Sequence, residues 1–402
     1  MKKLMVIGAG KSQVPLIEAA KKENYHTIVC DFDPMAVGAH LADEFLQVST
    51  KDREGLFAAA AERHIDGIVA NSEYAMCDVA YIANKLGLTG NPESAVDALS
   101  SKSGFRTLQK RAGLSSPCFI EDGEIEELLT EKAPLSFPII IKPDKSSGTR
   151  SVVTIKDPND TAAMREAINA ARNVSRNGKA MAEEYVPMQA SAVIEGEIFV
   201  GNGEILWDGL FHTFRSPGMP MIPMTYVFPL QEEKSRQEKI KKALAKAFVA
   251  AGVIHGEFNI EMFFTAVEEP FIIEINPRQG GNELPKYVKE SCGIDFARLL
   301  VTTAVGENYY LNSIRNEQRK SKHIIHHMLY PSASGVFDGL KMDDSIRPHI
   351  IKIQTDPAIG ERIEKAHDGS YEIGFVDLAF DTAAEQMRVA RHIDELIQIN
   401  IR

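Results

Sequence analysis

Phe271-Ile-Ile-Glu-Ile-Asn-Pro-Arg278 is an apolar strand with a carboxylate in its middle and a guanidinium at its end. A second such run, Phe258-Asn-Ile-Glu-Met-Phe-Phe264, precedes it and carries Glu261. An unpaired carboxylate inside an apolar strand is costly, so both glutamates need a charge partner or a ligand. If the runs form an antiparallel hairpin around the turn at Thr265 to Pro270, Glu261 and Glu274 can face the same side. Asn276 then shares the face of Glu274, because alternate strand residues point the same way. Two carboxylates and an amide oxygen are suitable hard ligands for Mg²⁺. Arg278 continues the alternation, and its planar, permanent charge suits a transferring phosphoryl group. A hairpin closed by internal salt bridges is the plainer reading of the same residues.

Upstream, Ile139-Ile-Ile-Lys-Pro-Asp-Lys-Ser-Ser-Gly-Thr-Arg-Ser-Val-Val153 places Lys142 at a strand end, followed by a small cationic loop. A lysine there can bridge phosphate oxygens, and Ser/Gly backbone N–H groups can lie over a polyphosphate. A hairpin with a solvated lysine is the alternative. Gly8-Ala-Gly-Lys-Ser12 is a weaker glycine signal. Met5 stands where a P-loop needs its first glycine, and Gln13 where the dinucleotide fingerprint needs its third. What remains is a strand, a tight turn and a helix N-terminus, read either as an anion site or as helix-on-strand packing.

Strands and helices alternate over the first hundred residues, which indicates a parallel sheet covered on both faces. From Glu183 onward, alternating runs at Ser191–Val200, Glu204–Phe211, Gly256–Phe264 and Phe271–Ile275 predict an antiparallel, α+β arrangement. A Lys/Ala-rich amphipathic helix fills 235–251, and Thr382 with Glu385 opens a final helix with a capping box. The fold class expected is therefore α/β plus α+β. The expected units are 1–100, 101–310 (with 115–186 as a mobile small lobe) and a C-terminal α+β segment, 311–402. At 402 residues the chain exceeds one ordinary core.

A net charge of −11 disfavours nucleic acid or an anionic membrane as the main partner. The four scattered cysteines form no metal-finger spacing. With no run long enough for a signal peptide or a membrane span, a cytoplasmic location is expected. Lys322-His-Ile-Ile-His-His327 reads as a strand of mixed burial rather than a metal site.

Together these motifs resemble the ATP-grasp superfamily across nearly the whole length. The opening Val6 to Ala20 looks like the N-terminal domain of biotin carboxylase and phosphoribosylglycinamide synthetase relatives. Ile139 to Pro143 with its loop looks like the family's phosphate lysine and flap, and Met181-Ala-Glu-Glu-Tyr-Val-Pro187 like the hinge that receives adenine. Glu261, Glu274, Asn276 and Arg278 match the metal and phosphate positions, followed by Gly280-Gly-Asn282.

The resemblance implies ATP with Mg²⁺ (or Mn²⁺ in its place). Lys102 and Lys142 would contact the phosphates, and Ser147, Gly148 and Thr149 would close over them. Glu183, Glu184, Tyr185 and Val186 would surround adenine. The activity implied is ADP-forming carboxylate–amine (or carboxylate–thiol) ligation through an acyl phosphate, as in L-amino acid ligases. A non-catalytic nucleotide binder on this fold is the alternative, and a bicarbonate-activating synthetase a third reading. Substrate-facing candidates are Arg215, His212, Glu257, Gly280 and Gly281, with the segment Ser216 to Met224. Glu257 in His255-Gly-Glu257 competes with Glu261 as the upstream metal ligand. The expected partners are small carboxylate and amine substrates, and in assembly a second copy forming a homodimer. One departure stands out: after the hinge proline, Met188-Gln-Ala-Ser191 replaces the Gly-x-Glu of many relatives, with Glu195 as the substitute.

Overall fold

The computed structural model describes residues 1–130, 134–146, 148, 150–188, 192–215, 222–281, 283–314 and 321–402. Strands β1 (Lys3–Ile7), β2 (His26–Asp31), β3 (Glu44–Gln47) and β4 (Gly67–Ala70) form a parallel sheet in the order β3-β2-β1-β4. Leu4 to Ile7 are fully buried because both faces are covered. Leu56, Val79 and Ile82 pack on one side; Leu16, Ile17 and Val301 pack on the other. Val301 belongs to the helix Phe296–Ala304, so a distant segment completes this core. The Gly8-Ala-Gly10 turn serves packing: the Ala9 N–H donates to Asp31 Oδ2 at 2.7 Å, an anion supplied by the chain itself.

A second sheet of β5 (Phe119–Glu121), β6 (Ile139–Pro143), β7 (Val153–Ile155) and β8 (Ala180–Glu184) is antiparallel, ordered β5-β8-β6-β7. Ile139, Ile141, Ala180 and Ala182 bury one face against Met164, Ala167, Ile168 and Ala171 of the helix Thr161–Val174. Strand alternation leaves Lys142 and Glu183 on the opposite face.

The largest sheet has eight strands. It uses β9 (Ala192–Gly201), β10 (Glu204–Arg215), β11 (Pro223–Phe228), β12 (His255–Phe264), β13 (Pro270–Asn276) and β14 (His323–Met328). β15 (Gly335–Met342) lies outside it, while β16 (Ile350–Thr355) forms its edge. β17 (Arg362–Ile363) pairs with β15, β18 (Gly374–Phe380) returns to the large sheet, and β19 (Ile397–Ile401) joins β15. The large-sheet order is β13-β12-β9-β10-β11-β14-β18-β16, and its strand pairings are antiparallel. Ile194, Ile198, Val200, Phe258, Ile260 and Met262 face a core with Ile240, Leu244 and Phe248 of the helix Lys234–Ala251. The intervening residues of β9, β12 and β13 carry the carboxylates, and they point the other way.

The N-terminal parallel sheet and the antiparallel character of the sheets after it agree with the sequence expectation. The Ser216–Met224 segment does not behave as expected where it is described. Ile222 and Met224 are buried in an apolar core around Phe211 and Tyr226, so they support the sheet rather than face a substrate. Residues 216–221 lie outside the described residues. Among the described residues no helix is long and apolar enough to cross a membrane.

Candidate active site

The β12–β13 hairpin sets Glu261 directly opposite Glu274 and Asn259 opposite Asn276. On its other side β12 sets Glu261 opposite Glu195 and Asn259 opposite Glu197 of β9. One sheet face therefore gathers five glutamates, since Glu257 shares the alternation of Asn259 and Glu261. They differ sharply in exposure. The Glu261 and Glu274 side chains keep 28% and 24% of their surface, whereas Glu195, Glu197 and Glu257 are buried. The two open carboxylates are those at the mouth of the face.

Charge within this group is unevenly compensated. Burial opposes ionisation of Glu274, but Lys102, the Asn276 amide and Arg278 outweigh it and hold its carboxyl below the usual range. The Lys102 ammonium lies 3.7 Å from Glu274 Oε2, and Asn276 Nδ2 donates to Glu274 Oε1 at 2.8 Å. Burial and the neighbouring Glu195 and Glu274 charges push Glu261 well above its ordinary value. Arg215 approaches Glu261 only to 4.0 Å. Burial also raises Glu195 to about 7. Such a set has room for added positive charge.

The second sheet and the helix Lys102–Arg111 supply the cations. Lys142 Nζ lies 2.5 Å from Glu183 Oε1, and Arg106 Nε donates to Glu183 Oε2 at 2.8 Å. All three are buried. One carboxylate thus serves two cations. Burial opposes the Glu183 charge, yet Arg106 and Lys142 hold it at about 2. Burial and the competing Arg106 lower Lys142 to about 8 against the pull of Glu183. Arg106 also donates to Ile273 O at 3.0 Å and lies over the Phe271 ring, which ties β8 to β13. Lys102 opens the helix Lys102–Arg111 and donates to Ser146 O at 3.0 Å. Its position is fixed by Asp144, which accepts from Ser103 N, the Ser101 and Ser103 hydroxyls and Asn177 Nδ2.

Several expectations are corrected by this geometry. Glu183 is committed to Lys142 and Arg106, so its carboxylate is not free to meet an adenine edge. Glu184 points to the opposite face of β8, where it accepts from Ser136 N. The Tyr185 N–H is already bonded to Pro138 O, and its ring is exposed; Val186 follows it directly. Glu257 is paired with Phe199 rather than with Glu274 and accepts from Gln279 Nε2 at 2.6 Å. Glu261, not Glu257, is the carboxylate opposite Glu274.

His212 lies on the far face of β10, its Nε2 near Gln231 O. The turn of face follows from alternation with Thr213 and Arg215. Gly280 donates its N–H to Glu197 Oε1 at 2.8 Å, and a Cβ there would meet that oxygen at 2.5 Å. It closes the turn rather than presenting itself to a substrate. Gly281 is exposed, and Gly148, also exposed, sits in the left-handed region. Ser147, Thr149 and Asn282 lie outside the described residues.

Arg106, Asp144, Glu197, Asn259 and Glu73 escape sequence reasoning. Arg106 has a signal: a cation four residues after Lys102 on the same helix flank as Phe105 and Gln109, too apolar a place for a solvated charge. Glu73 has none. It lies just beyond β4 and meets Arg278 only through the fold, at 2.7 Å. Among the described residues no three His, Cys, Asp or Glu side chains gather as a ready metal site. The open set is two carboxylates and an amide.

Comparison with known proteins places this arrangement. Residues 135–285 match the model of the ATP-grasp domain. An uncharacterised protein, y4rH, of Sinorhizobium fredii is 24% identical over 318 residues, covering 77% of this chain and 64% of that one. The chain thus spans less than two thirds of that relative. The L-amino acid ligase from Bacillus licheniformis shares the fold with a TM-score of 0.76 at 21% identity, covering 100% of this chain and 99% of that one. The biotin carboxylase domain of Hydrogenobacter thermophilus 2-oxoglutarate carboxylase, solved with MgADP and bicarbonate, gives 0.69 at 17% identity over 100% and 91% of the two chains. Residues 135–285, which hold Lys142, Glu183, Glu261, Glu274 and Arg278, are the stretch of this chain that matches the ATP-grasp domain.

Proposed function

We propose that this protein is an ATP- and Mg²⁺-dependent, ADP-forming ligase that joins a small carboxylate to an amine through an acyl phosphate. The observation that carries this reading is the approach of Lys102 to Glu274, at 3.7 Å, on the strand that sets Glu274 opposite Glu261. Cations from the second sheet and the helix Lys102–Arg111 lie on the side of the hard oxygen ligands of the large sheet, which is what a polyphosphate with a divalent ion requires. The fold neighbours with MgADP in one case and amino acid ligation in another support it.

The residues present suit Mg²⁺, because Glu261, Glu274 and Asn276 offer oxygen donors around a carboxyl that lacks compensating charge. Bound there, the ion would neutralise phosphate charge during transfer. Lys142, positioned by Glu183 and Arg106, and Lys102, positioned by Asp144, would grip phosphate oxygens. Arg278 would stabilise the transferring group. Adenine recognition would fall to the Tyr185 carbonyl and the Val186 N–H, since the Tyr185 N–H is bonded to Pro138 O, and Arg215, on the carboxylate face, would orient a substrate carboxylate. Burial of the face limits water, which an acyl phosphate requires.

The test is phosphate release from ATP and Mg²⁺ across amino acids, singly and in pairs. Release only with particular pairs is expected. Tight ATP binding with no release for any pair sinks the ligase reading and favours a nucleotide-binding protein.

A further inference from the structure

Beneath the turn after Arg278 lie two buried carboxylates. Glu197 and Glu257 are 0% and 3% exposed and are diagonal neighbours on one sheet face, since β12 sets Glu257 opposite Phe199 and Asn259 opposite Glu197. Each has one satisfied oxygen. Glu197 Oε1 accepts from Gly280 N at 2.8 Å and Asn259 Nδ2 at 3.2 Å; Glu257 Oε2 accepts from Gln279 Nε2 at 2.6 Å. The other oxygens, Glu197 Oε2 and Glu257 Oε1, meet no donor among the described residues, and neither does Gln279 Oε1, whose side chain is 1% exposed. Three unpartnered acceptors from three buried side chains beneath one turn are a costly arrangement unless a positive centre joins them.

We infer that Glu197, Glu257 and Gln279 form a buried site for a monovalent alkali cation, separate from the open Glu261–Glu274 pair. The chemistry favours a monovalent ion. The two carboxylates receive only neutral donors, from Gly280, Asn259 and Gln279, so a single positive charge among their free oxygens stabilises the group. Mg²⁺ keeps several waters and dehydrates reluctantly, which a closed site of this kind does not accommodate. K⁺ or Na⁺ gives up its water more readily and accepts an irregular set of oxygens. The consequence reaches the reaction centre through the backbone: Gln279 and Gly280 immediately follow Arg278, so the cation would fix the turn that aims the guanidinium. This inference does not depend on the ligase reading.

The experiment compares thermal unfolding of the full chain in KCl, NaCl and choline chloride at equal ionic strength, without nucleotide or Mg²⁺. K⁺ or Na⁺ should raise the midpoint by roughly 3 °C over choline. In Glu257→Gln the amide can donate to Glu197 and removes one charge, so the alkali-cation response should vanish while the midpoint in choline holds or rises. Gln279→Leu, which keeps both carboxylates, should weaken the response about tenfold in half-saturating concentration. Crystals soaked in RbCl should show an anomalous peak among the three oxygens. Equal midpoints in all three salts, or no Rb⁺ peak, would mean that the carboxyls share a proton instead, and the site falls.

Discussion

Arg278 and Glu73 are joined across two structural layers, Nη2 to Oε1 at 2.7 Å, while Glu73 Oε2 also reaches Arg176 at 3.6 Å. Glu73 lies just past the N-terminal sheet, Arg278 follows the β12–β13 hairpin, and Arg176 follows the helix Thr161–Val174 that backs the second sheet. A second Arg278 donor is held by Gln279 O at 2.8 Å. Its guanidinium is therefore aimed by contacts in two directions, which a compact ammonium cannot reproduce. Arg278→Lys is expected to lower kcat at least tenfold despite the retained charge. Glu73→Gln is expected to give a smaller loss, a few-fold, with the KM for ATP changed by less than threefold. Steady-state phosphate release measures both; wild-type kcat in Arg278→Lys would show that the fork geometry is idle.

Glu274→Gln removes the carboxylate that Lys102 and Asn276 hold ionised. Turnover dependent on Mg²⁺ should fall at least a hundredfold, with the circular dichroism spectrum unchanged. Glu261→Gln should behave alike, because the strand register sets it directly opposite. Glu257→Gln should stay within a few-fold of wild type in Mg²⁺ response, since Glu257 is paired with Phe199 and not with Glu274. A Glu257→Gln enzyme that loses its Mg²⁺ dependence would move the metal to the wrong carboxylate.

The raised Glu195 and Glu261 carboxyls make a pH prediction with a definite sign. A carboxyl whose folded value exceeds its unfolded one adds stability at low pH, and that stability is lost as pH rises through the folded value. For Glu195 the window runs from the ordinary carboxyl value near 4.5 up to about 7. Glu261, the proposed Mg²⁺ donor, is pushed up by burial and by the Glu195 and Glu274 charges, so Mg²⁺ competes there with protons and its stabilising effect should grow as pH rises. The Mg²⁺-induced rise in Tm is expected to be larger at pH 8 than at pH 5.5 by a few degrees. An equal rise at both values would mean that Mg²⁺ does not meet these carboxyls.

The carboxylate face is legible in the sequence because a strand alternates faces with a fixed period. Glu261, Glu274 and Asn276 stand out as polar residues inside apolar runs, and Lys142 as a cation ending one. The features that stay hidden depend on pairings between distant segments. The partition of Glu183 away from adenine requires Arg106 to arrive from a helix 77 residues earlier. Glu73 meets Arg278 across 205 residues, and no local pattern encodes that. His212 is misread for a different reason: its distance from Arg215 is odd, and strand parity, once the strand is known, sends it to the other face. Ile222 and Met224 look unusual only because prolines surround them.

The Lys142–Glu183–Arg106 triad makes the last prediction, because a buried anion shared by two cations responds asymmetrically to deletion. Removing Glu183 strands two buried cations, so Glu183→Gln should cost about 3–5 kcal/mol of stability. Lys142→Met leaves Glu183 still neutralised by Arg106, which holds it at both nitrogens facing the carboxylate, Nε at 2.8 Å and Nη2 at 3.3 Å. Its stability loss should be much smaller, while ATP turnover collapses with the phosphate cation. Arg106→Met lies between: Lys142 keeps its partner, but the tie from β8 to Ile273 O is cut, so the two sheets lose a shared anchor. Urea unfolding of the three variants should rank Glu183→Gln as the least stable and Lys142→Met as the most. If Lys142→Met proves as unstable as Glu183→Gln, the lysine is a structural counter-ion and not a group held in reserve for phosphate.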